Sequence, residues 1–272
     1  MILMLCRGHY NCVLRESNNH SIEKHCALKK RFIKYMYSTY AKRCIALSEG
    51  VKKDLVDNFY VDQDNIDVIF NPINIKQINA MQQEPSIKLE TKAKKIVAVG
   101  RLVAQKDYPT LLKAMSVLRS KINCKLYILG EGILENQLKE DIQHYGLEHH
   151  VELLGFQKNP YYIMAQADIF VLSSAWEGFG HVIVEAMAVG IPVVSTNCDF
   201  GPGEIITNGV NGILVEVGDY KAMAEQMYQI LCDKEKAANI VNAAHLRAKD
   251  FDVRVIVKQY EKLFIQLCHE TS

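Results

Sequence analysis

A chain of 272 residues that is 49% hydrophobic and 23% charged has the size for about two domains and the composition of a soluble enzyme. Its formal net charge of +1 points to no polyanionic partner, nucleic acid included, and no apolar run approaches the ~20 residues that a bilayer-spanning helix needs. The opening run of Met1 to Cys6 is too short and uncharged for a secretory signal. The eight cysteines form no C-x-x-C pair, so they read as reduced packing residues of a cytoplasmic protein. No metal site is expected either, because no Cys or His cluster has ligand spacing and His149-His150 reads as surface loop.

In chain order, a strand over 12–15 runs into the polar Glu16-Ser17-Asn18-Asn19. A basic helix covers 22–41, a strand follows over 44–47, and Ser48-Glu49-Gly50 leads into a helix over 51–58. The run 67–73 reads as a last strand and hinge. The basic helix sets Lys24, Lys29, Lys30, Arg31 and Lys34 among Ile22, Leu28, Phe32, Ile33 and Met36. That pattern suits a solvated helix face and also an anionic membrane surface.

After a linker over 74–93 the pattern becomes regular. Apolar strands are expected over 95–100, 125–130, 151–155, 169–173, 192–196 and 212–217. Helices follow Asp107 as N-cap with Pro109 in the first turn, and cover 134–145, a short stretch near 161–166, and a helix containing Glu185. A turn of helix at 204–207 comes next, and two or three polar-faced helices fill 220 to the C-terminus. Strands alternating with helices imply an α/β architecture with a doubly wound parallel sheet, which binds ligands beyond the carboxyl ends of its strands.

The densest chemistry sits at such a strand end, in Ser173-Ser174-Ala175-Trp176-Glu177-Gly178-Phe179-Gly180-His181 and on to Glu185. A strand, a glycine turn and a helix start present backbone N–H groups and a positive dipole end, which suits a phosphate. A carboxylate on either side accepts from sugar hydroxyls, so the layout suggests a diphosphate with a sugar at each end, a nucleotide sugar. Glu185 lies in a helix apolar on nearly all sides, where a carboxylate needs a partner.

These residues resemble the E-x7-E signature of the retaining GT-B glycosyltransferases. The same family order continues in Val99-Gly100-Arg101-Leu102 with Gln105-Lys106-Asp107, in Leu129-Gly130-Glu131-Gly132, and in Leu154-Gly155-Phe156. It ends with the run 190–196 and Gly201-Pro202-Gly203-Glu204. The resemblance covers about 42–265. It implies a GT-B-type fold, with a complete C-terminal Rossmann-like sheet over 94–250 and a partial N-terminal Rossmann-like, acceptor-side domain over 1–73. A C-terminal helix over 251–272 would pack back toward the N-terminal part.

The resemblance also implies roles. Arg101 and Lys106 would hold the donor diphosphate and stabilise the leaving group, without metal or cofactor. Glu185 would accept from the ribose hydroxyls and Glu177 from the transferred sugar. The backbone of Gly178, Phe179 and Gly180 would face sugar and phosphate, with Gly100 and Gly130 at the donor strand ends. The Leu154-Gly155-Phe156 backbone would read a uracil edge, although Phe156 also fits a core aromatic. The expected reaction is retaining transfer of a hexose or N-acetylhexosamine from a UDP-sugar to a glycan or lipid-linked glycan, with peripheral contact at the inner membrane face. In the family's favoured picture, leaving-group phosphate and backbone polarity assist a front-face attack.

The N-terminal part departs from the pattern. A full domain would carry about another hundred residues before Cys12, including a glycine-rich loop and a reaction-centre His. A truncated nucleotide-sugar-binding module, or one half of a split enzyme, is therefore the alternative. Dehydrogenases, phosphate-loop nucleotidases and epimerases are disfavoured, because G-x-G-x-x-G, G-x-x-x-x-G-K-[S/T] and a suitably placed Tyr-x-x-x-Lys are absent.

Overall fold

The computed structural model describes residues 12–17, 27–39 and 41–269. These form two compact units, one built from the described residues up to Phe70 together with those from Val257 onward, the other from Asn71–Ile256.

The smaller unit contains β1 (Val13–Glu16), α1 (Ala27–Thr39), β2 (Arg43–Ala46), α2 (Glu49–Phe59) and β3 (Ile66–Val68), with the strands parallel in the order β1-β2-β3. Cys44, Ala46, Val51, Leu55 and Phe59 pack with Ile33 and Tyr37 to form its core. The Ser48 hydroxyl accepts from the Val51 N–H at 3.1 Å, the N-cap bond that starts α2. Across β2 and β3, Arg43 grips Asp67 with two 2.9 Å bonds, the bidentate geometry that a planar guanidinium favours.

Two sequence readings shift here. Glu16 is buried rather than part of a polar exit, and it accepts a 2.6 Å bond from the Tyr37 hydroxyl. On α1, Ile33 and Tyr37 face the core while Arg31, Phe32, Lys34 and Tyr35 are exposed. Phe32 thus sits among the charges instead of on the apolar face. Ile22 and Lys24 lie outside the described residues.

The larger unit begins with α3 (Ile75–Met81), β4 (Lys94–Val99), α4 (Tyr108–Leu118), β5 (Cys124–Leu129) and α5 (Glu135–His144). It continues with β6 (Val151–Gly155), α6 (Pro160–Met164), β7 (Ile169–Leu172), α7 (His181–Val189), β8 (Val193–Thr196), α8 (Pro202–Ile205) and β9 (Ile213–Val215). Helices α9 (Tyr220–Cys232), α10 (Lys234–Ala248) and α11 (Val253–His269) follow, the last running on into the residues of the smaller unit. All six strands are parallel, in the order β6-β5-β4-β7-β8-β9.

The two faces of this sheet follow from period-two alternation. Ile96 and Ala98 of β4, Leu126 and Ile128 of β5, and Ile169 and Val171 of β7 share one cluster with Leu111, Met115, Leu138, Met223 and Met227 from α4, α5 and α9. The intervening Val97, Tyr127 and Phe170 are equally buried but belong to the other face. Such double coverage explains why the strands read as unbroken apolar runs.

The stretch expected as a linker carries α3, and side chains of the α6 region hold it. Asn159 donates to the Met81 carbonyl at 2.8 Å. Gln166 bonds the Ile87 carbonyl and the Leu89 N–H, each at 3.0 Å. Further back, the Ile73 backbone pairs with Phe251 and Val253 through two 2.8 Å bonds.

Strand order reverses between β4 and β7, so the chain leaves their carboxyl ends in opposite directions and opens a crevice there. Asp107 fixes one wall. It adopts φ +42° and caps α4 by accepting from the Thr110 hydroxyl at 2.6 Å and the Thr110 N–H at 3.4 Å. Asp and Asn tolerate this left-handed conformation better than other side chains that carry a Cβ. Asp107→Ala should therefore destabilise the protein by about 1–2 kcal/mol and Asp107→Asn by much less, read as denaturant midpoints.

Candidate functional site

Glu177 lies past the end of β7 and is 7% exposed. Its Oε1 receives the Lys106 ammonium at 2.5 Å and the Ser174 hydroxyl at 2.7 Å, while Gln105 approaches Oε2 at 3.4 Å. The loops after β4 and β7 are also laced through their backbones. The Ala175 N–H donates to the Gln105 carbonyl at 2.8 Å, Gln105 to the Trp176 carbonyl at 3.0 Å, and Ser173 to the Lys106 carbonyl at 2.7 Å. Thr196, at the end of β8, secures the Ser174 carbonyl at 2.6 Å. One buried carboxylate thus joins the loops after β4 and β7, and Thr196 ties the end of β8 to its partner Ser174.

Lys106 reaches Glu177 by passing over Gly100. A Cβ at Gly100 would stand 2.9 Å from Lys106 Cε and 3.1 Å from the Tyr108 hydroxyl. That hydroxyl donates to the Gly100 carbonyl at 3.0 Å, and burial first, then the Glu177 charge, push its pKa well above the usual tyrosine value. Cys198, on the other side, is pushed up to about 12 by burial and by the same carboxylate.

The glycine turn leads into α7. Gly180 is the N-cap with φ +86°, and it offers no side chain to the first turn. A Cβ there would be strained and would meet Ile183 Cδ1 at 3.1 Å, so backbone conformation is reason enough for glycine at this position. Phe179 is buried, its ring 5.5 Å from that of Phe251. Arg247 lies over the other aromatic, 4.6 Å from the Phe251 centroid, and donates to the Glu204 and Ile205 carbonyls at 2.7 and 3.2 Å. Gly178 is half-buried.

Glu185 sits one turn into α7 after His181, half-buried rather than enclosed. Its Oε1 accepts from the Tyr161 hydroxyl at 2.8 Å and lies 3.7 Å from His181 Nε2. Neither Tyr161 nor His181 is among the site residues to which the sequence points. The spacing His181 to Glu185 was legible as i, i+4 on one helix, but Tyr161 arrives from α6, and no sequence pattern pairs the two.

Two clefts flank these residues. One, of about 290 Å³, is lined by Gly100, Arg101, Gly130, Glu131, Phe156 and Gln157, among others. The other, of about 220 Å³, is lined by Asn74, Gln77, Tyr161, His181 and Glu185, among others, and Pro160 borders both. Phe156 is 70% exposed, which removes the core-aromatic reading. Leu154 and Gly155 do not line this cleft. The Leu154 carbonyl accepts from Gln157 at 2.6 Å and the Gly155 carbonyl from the Gly130 N–H at 2.8 Å. The cleft-facing part of that run is therefore Phe156 and Gln157, with the Phe156 N–H donating to Glu131 at 3.3 Å. Arg101 is exposed and has no ion pair among the described residues. Among the described residues no three His, Cys, Asp or Glu side chains converge.

Residues 80–247, more than half of the chain, match the glycosyl transferases group 1 family. The chain belongs to that family. Its group 1 relatives include the N-acetylgalactosamine-N,N'-diacetylbacillosaminyl-diphospho-undecaprenol 4-alpha-N-acetylgalactosaminyltransferase of Campylobacter jejuni, 34% identical over 83% of this chain and 60% of the relative. The capsular polysaccharide biosynthesis glycosyltransferase CapM of Staphylococcus aureus is 29% identical, over 89% of this chain and 67% of its own length. The chain thus spans about 60–67% of these relatives. Among solved structures, Anabaena HepE in complex with UDP superposes with a TM-score of 0.83 at 25% identity, covering 93% of this chain and 72% of that one. The fold is of the GT-B type.

The Lys106–Glu177 pair is nearly dry, with side chains 13% and 8% exposed. Removing one partner strands a buried charge. Lys106→Met should cost about 3 kcal/mol of stability, and adding Glu177→Gln to it should restore a large part of the loss, as read from a double-mutant cycle of unfolding free energies.

Proposed function

We propose that the Asn71–Ile256 unit binds a UDP-sugar, and that the protein transfers a hexose or N-acetylhexosamine from it to a glycan or lipid-linked glycan acceptor with retention of configuration. The observation that carries this reading is the pair of clefts meeting at Pro160, which runs from Arg101, Gly130 and Phe156 to Glu185 beside the start of α7. A base beside Phe156 and Gln157, a ribose at Glu185 and a diphosphate between Arg101 and the first turn of α7 fill these clefts. Anabaena HepE, which superposes on this unit, binds UDP. The Campylobacter relative acts on a diphospho-undecaprenol-linked acceptor, which supports the acceptor class.

In this reading the bond from the anomeric carbon to the diphosphate breaks, and Arg101 and Lys106 neutralise the charge growing on the leaving oxygen. An ammonium has three N–H groups, so Lys106 can keep its bond to Glu177 and still donate to phosphate. Glu177, held at Oε1 by Lys106 and Ser174, meets only the long 3.4 Å approach of Gln105 at Oε2, which leaves a lone pair there for a hydroxyl of the transferred sugar. The acceptor oxygen bonds the anomeric carbon on the face that the diphosphate leaves, its proton passes to a leaving-group phosphate oxygen, and backbone dipoles assist, with no protein nucleophile, metal or cofactor required.

Calorimetry with UDP in the presence of EDTA tests this. Glu185→Ala should weaken UDP binding at least about tenfold, since it removes hydrogen bonds to a charged acceptor. Glu177→Gln, which keeps an acceptor for Lys106 and Ser174, should keep most of the UDP binding while losing sugar transfer. Normal UDP affinity and turnover in both variants would overturn the assignment.

A peripheral contact with an anionic membrane at the cytoplasmic face is proposed for α1, on the observation that Arg31, Phe32, Lys34 and Tyr35 form an exposed basic and aromatic run. Among the described residues no helix is long and apolar enough to cross a membrane. Sedimentation with vesicles should then rise with the fraction of phosphatidylglycerol and fall in Arg31→Glu/Lys34→Glu. Sedimentation independent of anionic lipid would remove the idea.

A further inference from the structure

We infer that Tyr161 is a positioning residue that presents Glu185 to the ribose and so sets a preference for ribonucleotide over deoxyribonucleotide. This rests on the UDP-sugar reading above.

Glu185 has three side-chain torsions and sits on a half-exposed face of α7. A carboxylate so placed samples several rotamers, and ordering it on binding costs free energy. Tyr161 removes that freedom beforehand. Its hydroxyl donates to Oε1 at 2.8 Å, and His181 Nε2 stands 3.7 Å from the same oxygen. Both neighbours address Oε1. Oε2 has no hydrogen-bond partner among the described residues, and the Glu185 side chain lines the cleft that Tyr161 and His181 also line. A carboxylate fixed in one plane, with Oε2 open and a lone pair remaining on Oε1, can take two vicinal hydroxyls at once. A 2′-deoxyribose supplies only one.

Tyr161 is itself anchored from outside the site. It stands in the first turn of α6, behind Pro160, where the Asn159 side chain accepts from the Tyr162 N–H at 3.4 Å and donates to the Met81 carbonyl at 2.8 Å. The turn that carries the phenol is thus tied to the end of α3. Burial, then the Glu185 charge, raise the Tyr161 pKa far above the ordinary tyrosine value, so the hydroxyl remains a donor throughout the neutral range. A tyrosine has only two torsions, and this one has its ring half-buried, which makes it a stiffer guide than a second long side chain would be.

The test is the ratio of dissociation constants for 2′-deoxy-UDP and UDP, measured by calorimetry on wild type, Tyr161→Phe and Glu185→Ala. Wild type should favour UDP. Tyr161→Phe should weaken UDP about tenfold and 2′-deoxy-UDP much less, narrowing the ratio, with the thermal midpoint checking that the variant is folded. Glu185→Ala should abolish the preference. An unmoved ratio in Tyr161→Phe, whether both affinities fall together or neither does, overturns the positioning role while leaving the donor site standing. A wild-type protein that binds neither nucleotide sinks the donor-site reading and this inference together.

Discussion

A carboxylate taken out of water must be met by donors, and in this protein that requirement falls on Glu177. The side chain is nearly enclosed, so Lys106 and Ser174 must converge on it, and the loops that carry them must come together. Those loops leave β4 and β7, the two strands between which the sheet reverses its order. A reversed strand order would by itself open a crevice there; the ion pair determines how the crevice closes at its base. The Ala175 N–H, the Ser173 hydroxyl and the Gln105 side-chain amide, each donating to a backbone carbonyl, then lace the walls. Much of the site's rigidity traces to one buried charge and its partners.

The second carboxylate is handled differently. Glu185 keeps contact with solvent, and a neutral phenol meets it instead of a fixed cation. An ion pair there would have neutralised the acceptor, whereas Tyr161 orients it and leaves its charge uncancelled. The two glutamates of the motif therefore occupy different electrostatic settings, one compensated at the base of a crevice and one poised on a cleft wall. That contrast supports assigning them different parts of a donor substrate.

Support for both settings comes from beyond the motif. Phe179 is propped by Phe251, which Arg247 overlies, and Arg247 also holds the carbonyls at the end of α8. Asn159 and Gln166 fasten the 74–93 stretch to the region around α6. A segment that reads as a connector thus reaches Glu185 through α3, α6 and Tyr161.

Periodicity and motif spacing determined the alternation of strands and helices, the Asp107 cap and the placement of Glu177 and Glu185 around a glycine turn, while the family came from the resemblance that those motifs carry. Each of these is local, because hydrophobic period, cap chemistry and turn residues act over a few positions. Only the tertiary structure decided that Lys106 bonds Glu177, that Tyr161 holds Glu185, that Phe156 is exposed while Glu16 is buried, and that the apparent linker carries a packed helix. Those facts depend on contacts between residues 21 to 78 positions apart, such as Glu16 with Tyr37 or Asn159 with Met81. A parallel sheet brings such residues together through crossovers that leave no periodic trace in the chain.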